Sequence, residues 1–218
     1  GECKNDKGGY FIIDGKEKVI ISQEKFADNM FYIKDNYNEI YSHSAEIRSV
    51  SEDASKPVRT LSIRIVRPTS KYTNENIVVN IPNLRKPIPL FILMRALGVL
   101  SDKEIIKYCL LDLEKYETYI DLFLPSIHDA GNIFNQEVAM KYMATLTKGK
   151  TMSHIIEILM DYLLPHIGEN NFKNKAYFIG YMVSELLKVY KKDKLPTDRD
   201  SFKYKRVEVT GSLIYDLF

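Results

Sequence analysis

The chain has 218 residues, 45% hydrophobic and 28% charged, with a formal net charge of +2, proportions that suit a globular protein with a substantial core. No apolar run approaches the roughly 20 residues of a membrane span, and so small a net charge rules out a general polycation, so any nucleic-acid surface has to be local. Cys3 and Cys109 provide neither a disulfide framework nor zinc spacing and fit a reducing compartment.

The opening GECKNDKGG has no initiator Met and no signal or transit character, which suggests a piece excised from a longer chain. GGYFIIDGKEKVIISQE, residues 9–25, predicts a hairpin about Asp14-Gly15, a dipeptide that readily takes positive backbone angles. Phe11–Ile13 form its first arm and Val19–Ile21 its return. Lys16, Glu17 and Lys18 would then occupy the loop, with Gln23 at the end of the returning strand.

MFYIKD, AEIRSV, TLSIRIV and NIVVNI are short β-branched or aromatic segments and predict four strands. In the third, Leu61, Ile63 and Ile65 share one face while Ser62 and Arg64 share the other, the alternation of a half-exposed antiparallel sheet. SEDASKP and RPTSKYTNEN are its loops. The polar face around Arg48, Arg64 and Arg67 could take a protein partner.

Helical spacing begins at NLRKPIPLFILMRALG, where Pro87 and Pro89 suit a helix start and Gly98 a C-cap. SDKE reads as a capping box, Ser101 with Glu104, ahead of Ile105, Ile106, Cys109, Leu110 and Leu113. Further helices are expected at about 117–128, 135–146, 153–164 and 174–191, and the last carries a stripe of Ile179, Met182, Val183, Leu186, Leu187 and Tyr190. The tail is a charged loop followed by an apolar segment. The class is α+β: a strand-rich N-terminal part with a body of five or six helices.

The four histidines, His43, His128, His154 and His166, have no companions at metal-ligand spacing and read as surface or capping residues. No P-loop, nucleophile elbow or dinucleotide fingerprint occurs. Asp198 and Asp200 could aim at one Mg²⁺, as a metal-dependent nuclease would need. Their neighbours Arg199, Lys203, Lys205 and Arg206 favour a structural charge network instead. Lys16 and Lys18 beside the first turn, and Lys148 and Lys150 in a glycine-containing loop, are candidates for sequence-independent phosphate contacts.

The first hairpin resembles a signature of the second-largest subunit of multisubunit DNA-directed RNA polymerases, Gly-Tyr-Phe-Ile-Ile-x-Gly-x-Glu-(Lys/Arg)-Val running to Gln-Glu. AEIRSV, PIPLFILMRALG, LLPHIG, KAYFIGYMVSELL and DRDSFKYKRVEVTGSLIYDLF are similar to further blocks of that family, in the same order across nearly the whole chain. The resemblance implies a lobe at about residues 26–195, flanked by edges of the protrusion domain at 1–25 and 196–218. It also implies a role as wall of the DNA cleft and an outer surface open to initiation factors. The family's nucleotidyl transfer uses two Mg²⁺ ions held by the largest subunit, and a structural Zn²⁺ lies elsewhere. This segment is therefore expected to be inert, with neither catalytic nor metal-binding residues. Its implied partners are the largest subunit, the rest of its own chain and the DNA template, and no membrane.

The resemblance sets the charged first turn, with Lys16 and Lys18, and Gln23 near nucleic acid, Lys18 and Gln23 foremost. Lys148 and Lys150 are candidates from their loop alone and are the only substitutes for a family arginine at that place. Nuclear relatives carry an arginine-containing Gly-rich segment where this chain has YMATLTKGKT, and TD replaces their doubled acid before Arg-Asp. With the Lys, Ile and Asn bias, these departures suggest a large DNA virus or an AT-rich protist. The location would be intracellular: the nucleus for a cellular source, the virion or host cytoplasm for a viral one. The alternative is a stand-alone interaction module using the polar sheet face.

Overall fold

The computed structural model describes residues 3–53, 55–69 and 75–218. The expected loops SEDASKP and RPTSKYTNEN fall in part outside the described residues, at 54 and 70–74. The chain divides into two compact units, one of residues 1–27 and 199–218, the other of residues 28–198.

The larger unit is built on a five-stranded antiparallel sheet in the order β4-β5-β6-β7-β8. Its strands are β4 (Phe31–Asp35), β5 (Tyr41–Ser49), β6 (Arg59–Val66), β7 (Ile77–Asn80) and the short β8 (Ile88–Pro89). Register pairs Ala45 with Ile63 and Ile47 with Leu61, and Ile63 with Val79, so one face is continuously apolar and fully buried. β5 starts four residues earlier than its sequence block suggested, and an irregularity between Tyr41 and His43 turns the strand as it enters the sheet. Pro89 closes the far edge, where its missing N–H costs no ladder bond.

Among the described residues, seven α-helices belong to this unit. α1 (Leu90–Ala96) is buried at every position, as a helix apolar on all sides must be. α2 (Asp102–Leu110) packs against α7 (Phe172–Tyr190), and α7 also covers β4 and β5. The stripe expected on α7 is buried from Ile179 to Leu187, with Tyr190 half-buried. The span expected as one helix at 117–128 is divided into α3 (Glu117–Ile120), a 3-10 turn and α4 (Leu124–Ala130), with Pro125 just inside α4, a position proline tolerates. α5 (Gln136–Thr145) follows. α6 (Met152–Glu157) ends in a wide π turn, Ile158–Tyr162, rather than running on to 164.

Ser101 takes the extended N-cap conformation, yet its side chain makes no capping bond. The capping box is thus not formed; Asp102 beside it is drawn to the buried Arg95 guanidinium. Gly98 sits at φ +101° just beyond α1, the left-handed ending expected of it.

In the smaller unit, β1 (Phe11–Ile13) pairs with β2 (Lys16–Lys18), which corrects the expected hairpin. Asp14 and Gly15, at φ 51° and 72°, make a two-residue turn that forces Ile13 opposite Lys16 and Phe11 opposite Lys18. The lysines therefore ride on the returning strand, and Val19–Ile21 lie beyond it, exposed. Gln23 begins a different strand, β3 (Gln23–Phe26), antiparallel to β9 (Lys205–Glu208). α8 (Thr210–Leu217) closes the chain.

Candidate nucleic-acid interface

In the smaller unit, Lys16 and Lys18 alternate with Glu17 along β2, so both lysines stand on one face of the hairpin with Phe11 and Ile13 opposite them. Gln23 opens β3 opposite Glu208, and its amide donates to the Ile21 carbonyl at 3.3 Å. The β3–β9 ladder is laced by charge. Lys25 pairs with Glu208 and Lys205 with Glu24, each at 2.8 Å. The Lys205 ammonium also lies 4.0 Å, and the Arg199 guanidinium 5.0 Å, from the centre of the Phe26 ring. Arg206 donates to the carbonyls of Lys203 and Lys205. Asp200 is exposed in this unit, and Asp198 is exposed at the end of the other. Among the described residues no three His, Cys, Asp or Glu side chains gather as metal ligands.

In the larger unit, Lys148 and Lys150 lie in the loop between α5 and α6. Thr147 anchors that loop: its buried hydroxyl donates to the Ala144 carbonyl at 2.8 Å and accepts from the Lys150 N–H at 3.0 Å. This bond holds Lys150 at φ +50° and leaves both lysine side chains exposed. A second loop joins it, because the Arg85 N–H donates to the Leu146 carbonyl at 3.1 Å. Asn83, Lys148, Gly149, Thr151 and His154 line an open groove of about 600 Å³ at this junction. His154 faces Glu157 at 3.3 Å.

Sequence reasoning found Lys148 and Lys150 but missed Asn83, Arg85, Lys86 and His154. The Arg85-Lys86 doublet ahead of Pro87 is visible in the sequence, but its closeness to a loop some sixty residues later is not.

The polar sheet face is already knitted to itself. Arg64 lies between the rings of Tyr37 and Tyr41, with centroids 4.9 and 5.1 Å away, and its guanidinium reaches Glu46 at 3.6 Å. Arg67 is turned onto the Asn38 carbonyl at 2.8 Å, and Arg48 is exposed.

A family model described as RNA polymerase Rpb2, domain 2, matches residues 28–208. The chain belongs to that family. It is 40% identical to the DNA-directed RNA polymerase II subunit RPB2 of Encephalitozoon cuniculi, 35% identical to RNA polymerase II subunit 2 of Arabidopsis thaliana and 32% identical to the archaeal Rpo2 of Saccharolobus solfataricus. Each alignment covers 100% of this chain and 19% of the relative, so the chain spans about a fifth of the length of the subunits it matches. The match to the family model starts at the first residue of the larger unit and runs through β9 of the smaller one.

Proposed function

We propose that residues 28–198 form the lobe of the second-largest subunit of a DNA-directed RNA polymerase, and that residues 1–27 and 199–218 are edges of its protrusion. The observation that carries this reading is the end-to-end alignment with second-largest subunits from eukaryotes and an archaeon. In this role the segment is a wall of the DNA cleft. The larger unit, with its own buried core, gives it stiffness, and Lys16, Lys18, Gln23, Lys148 and Lys150 are its nucleic-acid-facing residues. Asp198, Arg199, Asp200, Lys205 and Arg206 serve structure.

Nucleotidyl transfer by two Mg²⁺ ions belongs to other parts of the assembled enzyme, as does any structural Zn²⁺. The partners are the largest subunit, the remainder of this chain and the DNA template, with initiation factors on the outer surface. The place of work is the nucleus for a cellular source, or the virion or host cytoplasm for a large DNA virus. Affinity purification of the tagged subunit from its native source tests the assignment. Recovery of a largest polymerase subunit with template-directed RNA synthesis is expected, and recovery of the chain without polymerase subunits overturns it.

A further inference from the structure

We propose that the groove between residues 82–86 and 147–154 binds the phosphodiester backbone of nucleic acid. Lys148 on its wall, with the exposed Arg85, Lys86 and Lys150 on the two loops that flank it, neutralises phosphates, while Asn83 and Thr151 of the lining supply uncharged hydrogen bonds. The choice of nucleic acid as ligand rests on the cleft-wall reading; the groove itself rests on three observations.

The first is convergence. The bond from the Arg85 N–H to the Leu146 carbonyl brings two basic sequence runs, RK and KGK, to one place. Neither run alone exceeds what a solvated loop ordinarily carries.

The second is that these cations are uncommitted. Among the described residues, none of the four side chains has an ion pair, a hydrogen bond or an aromatic ring as partner. Elsewhere in the same unit, Lys141 faces Glu137 at 2.6 Å, Lys188 faces Glu185 at 2.7 Å and Arg64 faces Glu46 at 3.6 Å. Four like charges, none of them paired with a carboxylate (Glu157 faces His154 instead), raise the local potential and favour an anion.

The third is form. The loop is fixed from within by the Thr147 hydroxyl, so little order has to be gained on binding. The groove, at about 600 Å³, far exceeds the roughly 30 Å³ share of one water and admits a sugar–phosphate unit. A single carboxylate side chain would satisfy one cation. Four cations spread over two loops suit a polymer that repeats its charge, contacted without regard to base sequence.

The test is an amide NMR titration of the purified 218-residue chain with a short DNA duplex at low salt. Shifts concentrated on Asn83, Gly149, Lys150 and Thr151 are expected, and they should fade as salt is raised. The combined variant R85Q/K86Q/K148Q/K150Q changes only exposed side chains. It should reduce the slope of log K against log salt by up to about 3.6, about 0.9 for each of four phosphate contacts, and weaken low-salt binding by about tenfold or more. Equal shifts around Lys103, Lys107 and Lys173 would reveal indiscriminate attraction and overturn the site. So would an absence of shifts, or an acidic peptide of matched charge that binds the groove as tightly as the duplex. A subunit that co-purifies with polymerase while its groove stays silent to DNA defeats this inference alone; failure to co-purify defeats the cleft-wall reading and leaves the titration result standing.

Discussion

Gly180 of α7 lies directly against the backbone of Tyr108 on α2. A Cβ built at position 180 would stand 2.7 Å from the Tyr108 carbonyl carbon, closer than a side-chain carbon comes to backbone, and a tight 3.2 Å from the Cys109 nitrogen. Alanine in mid-helix normally gains up to about 1 kcal/mol over glycine. Here overpacking of about 1–3 kcal/mol or more outweighs it, because backbone atoms cannot rotate away as a side chain could. Gly180→Ala is therefore expected to lower the denaturant midpoint. Gly149→Ala, whose added Cβ would lie 3.5 Å from the His154 ring, should leave the midpoint nearly unchanged.

Lys175 is fully buried, and its ammonium donates to the carbonyls of Leu159 at 2.7 Å and Met160 at 2.9 Å. These are carbonyls of the π turn that ends α6, where the widened ring leaves oxygens without helical partners. Burial lowers the Lys175 pKa to about 8, against the pull of Asp161 and Glu169. Lys175→Met keeps the aliphatic stem and removes the donor, at a cost of about 1–3 kcal/mol for the orphaned acceptors. Hydrogen exchange should show the loss as faster exchange at residues 158–163, with the β5–β6 ladder much less affected.

The sheet and α7 were legible because their apolar periods of two and 3.6 are long enough to be unambiguous. The buried alternation of Leu61, Ile63 and Ile65 and the stripe from Ile179 to Leu187 both appear in the fold. The first hairpin was misread for a local reason. Hydrophobicity favoured Val19–Ile21 as the return, yet a two-residue turn at Asp14-Gly15 fixes pairing by geometry and selects the charged Lys16–Lys18. The π turn had no sequence signal, since it depends on a donor that arrives from Lys175, well along the chain. The groove was half legible: its lysines are local in sequence, but the backbone bond that adds Arg85 and Lys86 is tertiary.

Acidification should loosen the turn that carries His166. The His166 N–H donates to the Ser49 hydroxyl at 3.2 Å, and that hydroxyl meets the ring Nδ1 at 2.7 Å. The serine hydrogen then points at Nδ1, which suits a neutral ring protonated on Nε2. Burial first, and the Lys175 charge second, hold the His166 pKa below its ordinary 6.5. Burial likewise lowers His43, with Asp35 opposing and Arg67 reinforcing the shift. Unfolded histidines take up protons near 6.5 while the folded ones stay neutral. The stabilisation is thus complete above 6.5 and is lost as pH falls through the depressed folded values. The melting temperature should decline as pH drops below 6.5, and His166→Gln should flatten part of that decline; parallel profiles for variant and parent would sink the assignment.

Arg95 is only 1% exposed and ties three segments together. Its guanidinium donates to the carbonyls of Leu100 and Ile133 and to the carboxylate of Asp102, and the Phe134 ring centre lies 5.1 Å away. Three acceptors in divergent directions call for the planar fork of arginine, which a single ammonium cannot imitate. The Asp102 side chain is 39% exposed, so water screens its charge, and the larger loss on mutation comes from the two carbonyls. Arg95→Met should cost roughly 2–4 kcal/mol, and Arg95→Lys should recover only a minor part. Asp102→Asn should cost about 1 kcal/mol or less. Equilibrium unfolding of the three variants separates the contributions: a cost for Asp102→Asn equal to that of Arg95→Met would show that the ion pair, rather than carbonyl satisfaction, fixes this corner of the larger unit.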